Sequence, residues 1–444
     1  MKAYKSTALL AASTAARMLL ALYTVKVTAV ALGLSGTGVI GQFNNLLLIA
    51  TMLAGGGIAS GIVKAAARQD KPLDDIRREL GSAHGYGLMC TALIVLAVVA
   101  GQEWLAPLLP MEHGVWLLVA LAVGQYGLFQ IAALTALVNS RGRQDLFAKS
   151  SLAAGVVGAA LVTVGCLRFG LVGTLVGILA GALSQWGFLY AFTRRHLPDL
   201  AWLGRPRLER KDLAFWAHFS LLSLITVVGM PSALIGVRNA LAASAGWDTV
   251  GIWQAMVRLS DAYLQFGLLF LSAFYFPRLA AFPTIAASTA VLLRHARLLV
   301  PGMVLLCGTI YLLRFQIVPT LFSVKFIGVT ELFVPQLIGD TFKITSYLIT
   351  YAFLSTGRYK LSMAAELTQA ALFWAFAGQI GVPLGAAGVA WSYAATYAAY
   401  FALVAATYAL LVRADRIASP PAPAPTPAPA AAAAAAGADH AVEP

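Results

Sequence analysis

Uninterrupted apolar runs of roughly 20 residues recur along nearly the whole of this 444-residue chain, and no other feature restricts its fold as much. A run of that length spans the hydrocarbon of a bilayer as one helix. Barrel strands are short and alternate in polarity, so a closed barrel is excluded. The chain is 60% hydrophobic and only 11% charged, which no soluble globular domain matches. The expected fold class is therefore all-α, a polytopic membrane protein. About twelve transmembrane helices are expected, near 7–32, 39–63, 81–101, 114–138, 149–167, 171–193, 213–240, 250–276, 298–318, 332–355, 361–380 and 387–412.

Lys and Arg counted by loop set the orientation. With the N-terminus inside, cytoplasmic segments hold 23 of the 31 basic residues, and the outer loops hold only Arg168, Arg314 and Lys325. Both termini are then cytoplasmic. The net charge of +13 is this positive-inside bias and calls for no nucleic-acid partner. The first apolar segment carries Arg17 and Lys26 and is too long for the core of a cleavable signal peptide. Cys90, Cys166 and Cys307 lie in spans without a CxxC, and the six His are scattered, so no disulfide framework, metal site or cofactor is expected. The outer loops are short and nearly free of His and Arg, which argues against an enzyme and names no catalytic residue.

The two halves echo each other. "GVIGQFNN" (38–45) and "TVGIWQAM" (249–256) each follow a short outer loop, and Gln42 to Gln254 is a step of 212 that sets Lys26 on Arg238. "SRGRQDL" (140–146) matches "STGRYKL" (355–361), and "GLVGTLVG" (170–177) matches "GAAGVAWS" (385–392), both by 215. A nearly constant offset predicts two six-helix lobes in parallel orientation around a central cavity, a common transporter architecture. Residues 1–212 form the first lobe with its connecting loop, 213–415 the second, and 416–444 a Pro/Ala-rich tail expected to be disordered.

Charges inside the spans are arranged in stripes. At about 100° per residue, Gln254, Asp261, Gln265 and Ser272 all fall within about 60° of Arg258 on the eighth span. On the tenth, Gln336, Lys343, Tyr347 and Tyr351 gather in the same way around Asp340. In span eleven Ser362, Glu366 and Gln369 share a face, and in span one Arg17 lines up with Ser13, Thr24 and Thr28 while Lys26 points to the opposite side. An ionised group at mid-membrane costs about 2.5–3.5 kcal/mol, so Arg17, Lys26, Arg238, Arg258, Lys343, Asp261, Asp340 and Glu366 together would cost roughly 20 kcal/mol if uncompensated. That exceeds the net stability of a typical fold, about 5–15 kcal/mol. Five cations against three anions cannot neutralise one another. A hydrated cavity of positive bias resolves the imbalance and suits an anionic substrate. For Arg258 and Asp261, and likewise for Asp340 and Lys343, a plain i, i+3 ion pair that fixes helix packing is the open alternative; Glu366 has that of a protonated acid bonded to a neighbouring helix, and Lys26 and Arg238 have an outer-end snorkelling alternative. "AGGGIASG" (54–61) reads as close helix packing, and Pro231 in "MPSA" as a kink in span seven.

"AASTAARMLLALYTVKVTAVALGLSGTGVIGQFNNLLLIATMLAGGGIASGIVK" resembles the start of Wzx-type polysaccharide flippases. "WDTVGIWQAMVRLSDAYLQF", "LFVPQLIGDTFK" and "AELTQ" resemble in particular the lipid III flippases of enterobacterial common antigen synthesis. The resemblance covers roughly residues 5–415. It implies the multidrug/oligosaccharidyl-lipid/polysaccharide exporter superfamily, in the bacterial inner membrane. The implied function is a flippase moving undecaprenyl-pyrophosphate-linked oligosaccharide to the outer leaflet by alternating access, coupled to an ion gradient. Membrane lipid, a polysaccharide polymerase and chain-length proteins are the implied partners. The family's cationic cavity carries over to Arg17, Lys26, Arg238, Arg258 and Lys343, with Asp261, Asp340 and Glu366 as charge partners or proton sites and Asp261 or Asp340 as the proton carrier. Gln254, Gln265, Gln336 and Tyr347 complete the polar stripe. The alternative is a drug or metabolite exporter of the same superfamily, against which the positive intramembrane balance counts.

Overall fold

The computed structural model describes residues 2–66, 73–109, 111–197, 206–207, 216–217 and 228–418. Among these, every regular element is helical. Nine long helices carry the architecture: α1 (Lys2–Ala66), α2 (Leu73–Ala100), α3 (Gly114–Ser140), α4 (Gln144–His196), α5 (Gly229–Phe270), α6 (Ile285–Leu312), α7 (Phe333–Ser355), α8 (Tyr359–Phe376) and α9 (Gly385–Ala418). In lipid each backbone polar group must be satisfied within its own segment, which is why apolar runs fold as helices.

Helices α1, α4 and α5, of 65, 53 and 42 residues, are longer than a bilayer is thick. Each breaks once, at Gly33 (φ 68°), Gly170 (φ 61°) and Gly246 (φ 82°). That backbone region suits glycine, which has no Cβ to clash. A single glycine thus replaces three of the outer loops read from the sequence. Counting both arms of these three, the described residues form twelve helical arms.

One expected span shifts, and one expected kink is not seen. The ninth runs over Ile285–Leu312 rather than 298–318, because a helix does not stop where the hydrocarbon does and its polar start carries Arg294 and Arg297 ahead of the apolar run. The rest of that segment forms a separate short helix, Arg314–Leu321, and a 3₁₀ stretch, Val324–Leu332. Pro231 makes no kink among the described residues. It sits in the first turn of α5, where no intrahelical donor is lost. Most of 198–227 and all of 419–444, hence most of the connecting loop, the start of span seven and the tail, lie outside the described residues.

The backbone itself repeats. Left-handed glycines recur as Gly33 and Gly246, 213 residues apart, and as Gly142 with Gly357 and Gly170 with Gly385, both 215 apart. The α3–α4 and α7–α8 turns use the same bonds. Gly142 and Arg143 N–H donate to Asn139 and Val138, both at 3.0 Å, and Gly357 and Arg358 N–H to Leu354 (3.2 Å) and Phe353 (3.0 Å). This is a helix stop built on a left-handed glycine. The step of 213 corrects the register of the first repeat by one residue. Lys26 corresponds to Asn239, not to Arg238.

At the end of the bundle that carries Gly33 and Gly246 the halves interlock. A Cβ on Gly38 would lie 3.0 Å from the Trp247 carbonyl oxygen and 3.1 Å from the Gly251 nitrogen, and one on Gly251 would strike the Leu34 carbonyl. Leu34 and Trp247, and Gly38 and Gly251, are each 213 apart, so the contact is reciprocal, as in an isologous dimer interface. Beside it Gln42 Nε2 donates to Asn239 Oδ1 at 2.9 Å.

Candidate functional site, a cluster of intramembrane charges

Three helices bring six of the eight predicted ionisable residues together: α5 with Arg238, Arg258 and Asp261, α7 with Asp340 and Lys343, and α8 with Glu366. Lys343 interacts electrostatically with Asp261, Asp340 and Glu366, and Arg238 with Arg258 and Asp261. The six side chains nevertheless fall into two groups.

Arg238 and Asp340 are structural in their contacts. Arg238 is 1% exposed; it donates to Gln254 Oε1 and lies over the Trp253 ring, 5.3 Å from the centroid. Gln254, predicted in the stripe, is therefore committed to Arg238. Asp340 is 0% exposed. Ser260 Oγ donates to its Oδ2 at 2.7 Å, and the Tyr263 hydroxyl donates to the same oxygen. The Tyr393 hydroxyl donates to its Oδ1 at 2.7 Å and Gln336 Nε2 at 3.4 Å. Four donors on two oxygens complement an acceptor-only carboxylate. Asp340 thus ties α5, α7 and α9 together and, in this conformation, is closed off from solvent rather than lining the wet cavity expected from the sequence. The reason is packing. The stripe on α7 faces two neighbouring helices at its Gln336 and Asp340 end, and Lys343, Tyr347 and Tyr351 beyond it are partly exposed.

Arg258, Asp261, Lys343 and Glu366 are placed otherwise. Among the described residues none of them makes a hydrogen bond or an ion pair, and Asp261 and Glu366 are exposed. Arg258 and Asp261 attract each other electrostatically without a hydrogen bond or a close ion pair between them. Gln265, one turn beyond Asp261, is exposed as well. The close contacts of Lys343 are ring faces, its Nζ 5.8 Å from the Tyr393 centroid and 5.4 Å from that of Tyr397, while the carboxylates act on it from further away. Its three N–H donors and the donors of Arg258 are uncommitted. Tyr347 lies on the same side, beside Gln369 and Tyr397.

The two cations of α1 lie apart from this cluster. Lys26 Nζ donates to the Pro319 carbonyl at 2.8 Å, closing the C-terminal end of the Arg314–Leu321 helix. Arg17 donates to Ser151 Oγ at 2.7 Å and borders a groove of about 310 Å³ with Thr24, Gly158, Gly181 and Gln185, lined by α1 and α4. The sequence reading missed Ser260, Tyr263, Tyr393 and Tyr397. A signal for the last two was present: "YAATYAAY" puts Tyr393, Tyr397 and Tyr400 on one helical face. No group of three or more metal-ligating side chains occurs among the described residues.

No family model matches the chain. The resemblance seen in its motifs extends along nearly its whole length. It is 29% identical over 408 residues, 90% of this chain and 96% of the relative, to the lipid III flippase of Escherichia coli (strain K12), and equally to that of Shigella flexneri. Among solved structures, the lipid II flippase MurJ in an inward closed conformation superposes with a TM-score of 0.69 at 13% identity, covering 93% of each chain. An inward-facing multidrug resistance MATE transporter of the MOP superfamily gives 0.68 at 14% identity, covering 89% of this chain and 96% of that one. These likenesses establish the fold as that of the MOP-superfamily transporters.

Proposed function

We propose that this chain, a homologue of the lipid III flippases with a MOP-superfamily fold, translocates a polyprenyl-pyrophosphate-linked oligosaccharide between the leaflets of the bacterial inner membrane. The observation that carries the reading is the pair of uncommitted cations, Arg258 and Lys343, on neighbouring helices. A pyrophosphate with sugars attached cannot enter hydrocarbon, and two cations with free donors supply what its oxygens lose on leaving water. The lipid tail stays in the bilayer. Residues 1–212 and 213–415 act as the two lobes, rocking about the head group in alternating access. Both termini lie in the cytoplasm, following the positive-inside bias.

Coupling to an ion gradient falls to Asp261 or Glu366, the two exposed carboxylates within reach of Lys343. A carboxylate whose surroundings alternate between wet and occluded exchanges its proton as they change. The same two carboxylates favour a second reading, an exporter of cationic drugs on the same fold.

Deletion in the host separates the two. Loss of one surface glycan with its lipid-linked precursor accumulating in the inner leaflet is the expected result, restored by the wild-type gene and not by R258Q/K343M. Normal glycans together with new sensitivity to cationic drugs would favour the exporter.

A further inference from the structure

Lys343 has a more elaborate setting than the other cations of the cluster. It lies over the faces of Tyr393 and Tyr397 at 5.8 and 5.4 Å, within the range in which an ammonium is attracted to an aromatic ring. Both rings are fixed from behind. The Tyr393 hydroxyl donates to Asp340 at 2.7 Å, and the Tyr397 hydroxyl accepts from Gln369 Nε2 at 3.0 Å. Asp340 is in turn anchored by Ser260, Tyr263 and Gln336, so Tyr393 is tied to α5 and α7 at once. Tyr393 and Tyr397 also pack on each other, with centroids 4.7 Å apart.

We propose that Asp340 is a positioning residue. It holds Tyr393 so that Tyr393 and Tyr397 form an aromatic seat for Lys343, which presents its N–H donors to the phosphate oxygens of the lipid-linked substrate. The inference rests on the function proposed above. The chemistry favours rings over a carboxylate partner. An ion pair would occupy the donors and cancel the charge, whereas a ring face attracts the cation and leaves its N–H groups available. The seat therefore keeps a mid-membrane lysine both tolerable and free to bind an anion. Asp340 itself never touches the substrate.

Two readouts test the seat, one of them independent of any ligand. In protein reductively methylated with ¹³C-formaldehyde, the dimethyl-Lys343 signal, assigned by its loss in K343R, is expected to be shifted upfield by the two rings. Y393F keeps the ring and removes only the bond to Asp340; it should lose part of that shift, and D340N should do the same. In nanodiscs the dissociation constant for undecaprenyl pyrophosphate should rise about tenfold in either variant, the effect of losing roughly 1.4 kcal/mol. The Y393F/D340N double variant should be no worse than the single ones, because both act through one contact. If D340N does not fold, Y393F alone decides. Unchanged shift and affinity in Y393F, or additive losses in the double variant, overturn the proposal. Absence of undecaprenyl pyrophosphate binding in the wild type would overturn the function reading, and this lysine-to-ligand step with it, while the shift still reports whether the seat exists.

Discussion

At the scale of single residues, charge and spacing are poor guides to who holds whom. Arg258 and Asp261 stand three apart on one helix, the spacing of a local ion pair, yet the structure leaves both without a direct partner. Arg238 and Asp340, which the sequence places in the same class, are both buried and bonded to neighbours, Arg238 through one nitrogen to Gln254 and Asp340 through both oxygens. A double-mutant cycle on stability checks this. R258Q and D261N should combine nearly additively, with a coupling below about 0.5 kcal/mol, whereas a true ion pair at this depth would couple by more. Strong coupling measured by thermal unfolding would return the pair to a packing role.

At the scale of elements, the turns between helices repeat in backbone but not in side-chain wiring. Arg143 and Arg358 follow equivalent left-handed glycines. Arg143 pairs locally with Asp145 at 2.9 Å, while Arg358 reaches Asp415 at the end of α9 at 2.8 Å. The other oxygen of Asp415 accepts from the N–H groups of Ile285 and Ala286 at 2.9 and 3.3 Å, capping the start of α6. One carboxylate thus joins α6, α9 and the turn before α8. Asp415→Ala is expected to cost about 1–3 kcal/mol, since it strips a charged acceptor from three donors. Asp145→Ala should cost at most about 1 kcal/mol, as for a surface pair. Thermal unfolding in detergent, followed by tryptophan fluorescence, ranks the two; equal losses would deny Asp415 its bridging role. The elements were largely readable in the sequence, because a run of about 20 apolar residues has no other way to satisfy its backbone in lipid. Their joints were less so. Gly33, Gly170 and Gly246 look like ordinary glycines in a sequence, and only the left-handed φ distinguishes them from the many that pack against a neighbouring helix.

At the scale of the whole molecule, the reciprocal contact of Gly38 with Trp247 and of Gly251 with Leu34 closes one end of the space between the halves. With the orientation proposed above, this is the outer end, and the described conformation is shut toward the outside. Backbone against backbone at this distance leaves no room for a Cβ on Gly251. Gly251→Val should therefore shift the population away from this state. A cysteine introduced at Asn239, beside the contact, is expected to react several-fold faster with a membrane-impermeant maleimide in the Gly251→Val background than in the wild type. Equal rates would mean that the contact does not hold the molecule shut.

The sequence by itself determined that this chain is helical, crosses a membrane many times and carries more intramembrane cations than anions. It also showed a repeat of about half the chain length. Each of these follows from local or summed quantities: run length, residue counts, a constant offset. Tertiary structure alone decided which charges are committed. Asp340 and Lys343 lie less than one turn apart on α7. One meets four donors from its own and two other helices, and the other meets two ring faces and no hydrogen-bond partner. A helix fixes the direction of a side chain, but what waits in that direction belongs to other segments, as Tyr393 does, 53 residues further along the chain.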